Sequence, residues 1–121
     1  MGLDMYAMTT RERFGSDVDF KPQEPSELHY WRKHPDLHGW MEALYFVKGG
    51  RADSFNCVAV RLTSDDLDLL EDVVKRNELP PTEGFFFGQT TGEEREDDLA
   101  FIAKARAAIA DGQTVYYDSW W

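Results

Sequence analysis

The stretch that most constrains this chain runs from Tyr30 to Gly50, because a proline near one end and a glycine pair at the other leave it one regular solution. Pro35 fits the first turn of a helix, where its missing amide proton costs no hydrogen bond, and Asp36 complements the positive end of the helix dipole. Leu37, Trp40, Met41, Leu44 and either Val47 or Lys48 then recur at the spacing of one apolar helical face, and Gly49-Gly50 supply the left-handed stop. His38 and Glu42 fall one turn apart on the opposite face. Tyr30 to Lys33, ahead of the proline, read as strand or extended approach. The window from Glu27 to Trp40 also holds all 3 histidines and two of the 4 tryptophans, which makes it the densest chemistry in the chain.

The flanking segments fill in a fold. Leu3, Met5, Ala7 and Thr9 alternate with Asp4, Tyr6 and Met8, the signature of a first strand. Residues 10–26 carry charges, Gly15, Pro22 and Pro25 without any period, so a long loop is expected there. Ser54 to Leu62 reads as a central strand buried on both faces, with Val58, Val60 and Leu62 on one side and Phe55, Cys57 and Ala59 on the other. Thr63 and Asp66 form a capping pattern for a second helix whose core face is Leu67, Leu70, Val73 and Val74. Leu79 to Gly84 is loop, since Pro80 and Pro81 remove two amide donors. Phe85-Phe86-Phe87 reads as a short strand or a rigid aromatic loop. Glu93 to Asp111 predicts a third helix with Leu99, Ile102, Ala103, Ile109 and Ala110 inward and Gly112 as its stop. Thr114 to Asp118 returns to a β pattern, and the closing Trp120-Trp121 predicts a docked carboxy terminus. The expected architecture is a single α+β domain over residues 1–121, with a mixed or antiparallel sheet of about four strands packed against about three helices.

Charge narrows the function. A formal net charge of −10 disfavours direct binding to nucleic acid or anionic lipid, because such binding depends on an excess of Lys and Arg. Cys57 is the one cysteine, so no internal disulfide forms, and no basic-plus-apolar leader opens the chain. A cytoplasmic location is expected. No apolar run approaches the ~20 residues that cross a bilayer.

Four separated motifs stand out: Gly2-Leu3-Asp4-Met5-Tyr6, Tyr30-Trp31-Arg32-Lys33 with Leu37-His38-Gly39-Trp40, Leu79-Pro80 to Gly84-Phe85-Phe86-Phe87-Gly88, and Tyr116-Tyr117-Asp118-Ser119-Trp120. In this order they resemble the corresponding motifs of a family of small uncharacterised proteins of bacteriophages and prophages. The resemblance spans the chain and implies an outline without a mechanism. His34-Pro35-Asp36 departs from the family pattern, so no role for His34 follows from it.

Each candidate site has a structural alternative. His34, His38 and Glu42 have a spacing that places three metal ligands on one helical face, but no second Cys/His pair completes a tetrahedral site, and a solvated face is the better reading. Cys57 beside a histidine has the parts of a nucleophile and base; its place in a central strand argues instead for a core residue. Arg32 and Lys33, flanked by Tyr30 and Trp31, suit recognition of a carboxylate or phosphate, the alternative being a clamp in which Arg32 pairs with an acidic neighbour. The acidic starts of the second and third helices suggest ordinary dipole complementation or an imitation of a nucleic-acid backbone directed at a basic protein. The expectation is a non-enzymatic interaction module that engages a protein partner or small anionic ligand through Tyr30, Trp31, Arg32, Lys33, His38, Tyr117 and Trp120, with no cofactor and no metal. A small enzyme with His38 as general acid or base and Arg32 as anchor is the competing class; it requires the two to converge in a pocket.

Overall fold

The computed structural model describes residues 2–84 and 87–121; the expectation for Phe85 and Phe86 lies outside them. Among the described residues the order is β1 (Asp4–Thr10), β2 (Ser26–Arg32), α1 (Pro35–Val47), β3 (Val60–Leu62), α2 (Ser64–Lys75), α3 (Arg95–Ala110) and β4 (Thr114–Trp120). The four strands form one antiparallel sheet in the order β2-β1-β4-β3, so the chain is an α+β domain. No helix among the described residues is long and apolar enough to cross a membrane.

Period-2 alternation decides what each face of the sheet meets. Leu3, Met5 and Ala7 of β1, Trp31 of β2 and Val115 and Tyr117 of β4 are buried together with Leu37, Met41 and Tyr45 of α1, Leu67 and Leu70 of α2, and Phe101 and Ile102 of α3. All three helices therefore share one face of the sheet. On the opposite face a smaller cluster joins Phe20, Ala59 and Tyr116 to Met8 and Phe14. The Phe14 and Phe20 rings stack with centroids 4.5 Å apart, and Phe20 meets Tyr116 edge-on at 5.2 Å.

The expected long loop is irregular yet packed. Arg61 N donates to Asp17 O, Asp19 N donates to Ala59 O, and Val18 bridges to Val60, so residues 17–19 line the outer edge of β3. Exposed edges invite pairing with other chains, and this one is covered. At the other edge, Ala7 opposes His29 and Met8 opposes Glu27, which makes Leu28 the extra residue of a β-bulge. The Leu28 carbonyl accepts from Lys104 Nζ at 3.1 Å, tying α3 to β2.

Several local expectations give way to packing. The predicted central strand over residues 54–62 contracts to Val60–Leu62 and lies at the sheet edge. Its period breaks at Cys57, which adopts a left-handed backbone (φ 59°) and is exposed, so it is not the core residue expected. The cause is the carboxy terminus: Asn56 bonds to the Trp121 backbone through both its amide nitrogen and its side-chain oxygen, Cys57 N donates to Ser119 O, and Phe55 turns into the core. Trp121 is docked there, with its Nε1 donating to Phe55 O at 2.9 Å. α1 begins at Pro35 as expected, and Gly39 within it is required because a Cβ would collide with the Thr82 hydroxyl. Thr63 and Asp66 complete the capping box of α2. α3 is rotated from its predicted phase: Asp98, Phe101, Ile102, Ala105 and Ala108 are buried, while Ala103 and Ala110 are exposed.

Candidate functional site

Strand alternation divides the predicted site residues between two environments. Register places Arg32, Asp4 and Trp120 side by side across β2, β1 and β4, and the next row on the same face is Tyr30, Tyr6 and Asp118. The bulge at Leu28 returns Glu27 to this face, opposite Met8. The result is a polar and aromatic grid on the side of the sheet away from the helices. Trp120 is 68 % exposed and Tyr30 43 %. The Tyr6 and Tyr30 rings lie 5.3 Å apart, and the Tyr30 hydroxyl donates to Asp4, which pushes its pKa up to about 12. Desolvation first, then the carboxylates of Asp4, Glu27 and Asp118, hold the Tyr6 hydroxyl above its usual range. Arg32 Nε lies 3.5 Å from Asp4, so the guanidinium read from sequence as an anion anchor is already in an ion pair.

The other predicted site residues face elsewhere. Trp31 is buried between the sheet and α3, edge-on to Phe101 at 4.8 Å. Lys33 sits in the β2–α1 corner with a left-handed backbone (φ 56°), its stem against Gly88. His38, expected on the outer side of α1, is 2 % exposed, because Phe55 and Phe87 cover the side of the helix that sequence alone leaves open. Its Nδ1 lies 2.6 Å from the hydroxyl of the fully buried Tyr117, and desolvation lowers its pKa to about 4. An imidazole held uncharged and closed off by Phe55, Phe87 and Tyr117 has no route to a substrate proton. His38 lies inside the core and Arg32 on the far face of the sheet, so the convergence that the enzyme reading requires is missing.

The histidine that does border a cleft is His34. Its Nε2 lies 2.8 Å from Asp98 Oδ2, its Nδ1 lies 2.9 Å from Thr90 Oγ1, and Trp31 Nε1 donates to Asp98 Oδ1 at 3.1 Å. A cavity of about 250 Å³ opens beside them, rimmed by Asp36, Glu94 and Arg95. Both imidazole nitrogens and both carboxylate oxygens are engaged within the protein, and Thr90 Oγ1 also accepts from Asp36 N at 3.1 Å. The group is a clamp joining β2, α1 and α3 to the loop before α3. His34 and His38 are each committed to a different partner, and no cluster of three or more His, Cys, Asp or Glu side chains among the described residues is arranged to hold a metal ion.

The acidic start of α2 is also largely occupied. Asp66 caps α2 and pairs with Lys48, Asp68 and Glu71 share Arg106, and Asp72 pairs with Arg76. Few free carboxylates remain on α2 to imitate a phosphate backbone.

Sequence reading found Tyr30, Arg32 and Trp120 of the outer grid but missed Asp4, Tyr6, Glu27 and Asp118, which join them only through strand register. The alternation of Asp4 and Tyr6 with Leu3 and Met5 was the available signal, since it marks both as facing away from the core. Comparison with protein-family models, with curated proteins and with solved structures finds no match. The site stands on its geometry alone.

Proposed function

We propose that this chain is a non-enzymatic interaction module, of the phage or prophage type its motifs resemble, and that its outer sheet face docks a basic protein partner. The observation that carries this reading is the grid of Tyr6, Tyr30 and Trp120 set among Asp4, Glu27 and Asp118 on three adjacent strands. Tyr and Trp dominate the energetics of protein interfaces because they bury large area at low entropic cost, and one residue here, Trp120, is left 68 % exposed. A chain with a net charge of −10 attracts cationic surfaces from a distance and repels nucleic acid and anionic lipid. Arg32, held by Asp4, serves this face as an orienting clamp, which makes a small anionic ligand a poorer match than a cationic one.

The test is affinity capture from a host extract with the immobilised protein, followed by identification of what is retained and direct binding of the purified candidate. A basic protein is expected that binds the wild type and the exposed α2 control Asp65→Asn equally, and that is lost from a Tyr30→Ala/Trp120→Ala variant. Retention of nucleic acid, of lipid, or of no basic protein sinks the reading.

A further inference from the structure

The geometry points to a receptor for one cationic side chain of the partner, a guanidinium or ammonium group, in the cavity between Asp118 and the packed loop. This deepens the docking reading and rests on it. The cavity has a volume of about 350 Å³ and is walled by Phe20, Pro22, Pro25, Val58 and Tyr116, with Asp118 among its lining groups. The two prolines fix the loop wall, and Phe20 is locked against Tyr116, so the slot is formed before anything enters it. It adjoins the grid, because Asp118 belongs to both: its strand partner on β1 is Tyr6.

Asp118 gives the slot its chemistry. Among the described residues its carboxylate receives one hydrogen bond, from the adjoining Ser119 amide at 2.7 Å, and makes no ion pair. A carboxylate largely withdrawn from water with a single neutral donor has unused acceptor capacity, and burial raises its pKa against the opposing pull of that amide and of Lys21. Lys21, on the loop, lines the same cavity without reaching ion-pair distance of Asp118. Aromatic walls around an under-partnered carboxylate favour a cation, which gains both the charge and the ring face. A guanidinium suits the flat rings best, since it stacks and bonds in one plane.

The probe is a hexa-arginine peptide, with its citrulline counterpart as the uncharged isostere. Cys57 is the reporter, being exposed, the one cysteine of the chain, and on the wall of this cavity. Saturating arginine peptide should slow alkylation of Cys57 by iodoacetamide several-fold, while the citrulline peptide leaves the rate unchanged. Asp118→Asn should weaken binding by roughly tenfold or more, the loss of one charge-assisted contact, and abolish the protection. Lys21→Ala, which removes the competing cation, should tighten binding; it decides the matter if Asp118→Asn does not fold. Trp120→Ala should weaken binding yet leave full protection at saturation.

Unchanged affinity in Asp118→Asn, unprotected Cys57 in the saturated complex, or no tightening in Lys21→Ala overturns the receptor. If Trp120→Ala alone weakens binding, the docking face survives and the slot does not. If no variant alters binding, the attraction is diffuse charge and both readings fall. Should the peptide bind no form of the protein, the receptor is refuted and the docking face is judged by the capture experiment.

Discussion

His38 and Tyr117 show how a polar pair is tolerated in the middle of an apolar core. Each supplies the partner the other would lack, and a buried group without one costs about 1–3 kcal/mol. The pair carries a pH dependence. The His38 pKa falls from 6.5 to about 4 on folding, so the unfolded chain takes up a proton first. Its contribution is fully present above the unfolded value, declines as pH falls through 6.5 toward 4, and is gone below that window. The loss is on the order of 3 kcal/mol. Urea unfolding at pH 7 and pH 4.5 should show it in the wild type and show a clearly smaller decline in a His38→Phe/Tyr117→Phe variant, which removes both polar groups together. An equal decline in the two proteins would mean that His38 is protonated as readily in the fold as outside it. The sequence marked His38 as chemistry-bearing but put it on the wrong side, because helical period shows where one apolar face lies and says nothing of loops, such as that carrying Phe87, that cover the other.

At the level of elements, the helices were legible wherever a local device ends them. Pro35 starts α1, the Thr63–Asp66 box starts α2, and Gly112, with a left-handed φ of 84°, follows α3. The rotation of α3 was not legible. Leu99, Phe101, Ile102, Ile109 and six alanines surround much of its circumference, so periodicity admits more than one inward face. What fixes the phase is a polar contact from outside the helix, Asp98 to His34 and Trp31, which no pattern within residues 95–110 contains. Two adjacent residues make the test. Asp98→Ala strands a buried imidazole and an indole N–H, at a cost of roughly 2–4 kcal/mol. Asp97 is 53 % exposed, so although it pairs with the His29 side chain, itself only 9 % exposed, water replaces its carboxylate and Asp97→Ala should cost clearly less than Asp98→Ala. Chemical denaturation of the two variants checks the contrast, and comparable losses would show that the buried clamp does not hold α3.

Across the whole molecule, the residues that looked like one cluster in sequence are separated by the thickness of a sheet. Tyr30 and Arg32 share the outer face while Trp31 between them belongs to the core, a consequence of period 2 that was readable once β2 was known to be a strand. Their neighbours Asp4, Tyr6 and Asp118 were not readable, because long-range register is set by pairing and the bulge at Leu28. The separation predicts two kinds of tryptophan. Trp31, 4 % exposed, should lose about 3–5 kcal/mol of stability on replacement by alanine, through cavity formation and the orphaned Asp98 oxygen. Trp120, 68 % exposed, should change stability by no more than about 0.5 kcal/mol and instead lose partner affinity by about 2 kcal/mol or more. Salt supplies the independent axis. A docking face built from aromatic area and carboxylates should bind its basic partner more weakly at 0.5 M than at about 0.1 M salt, since screening shortens the reach of the charges to a few ångströms. The penalty for losing Trp120 should persist at both, because burial of an indole is not screened. A Trp120 effect that vanishes at high salt would make the ring a bystander to the carboxylates beside it, whereas one that persists assigns the aromatic contact its own share of the affinity.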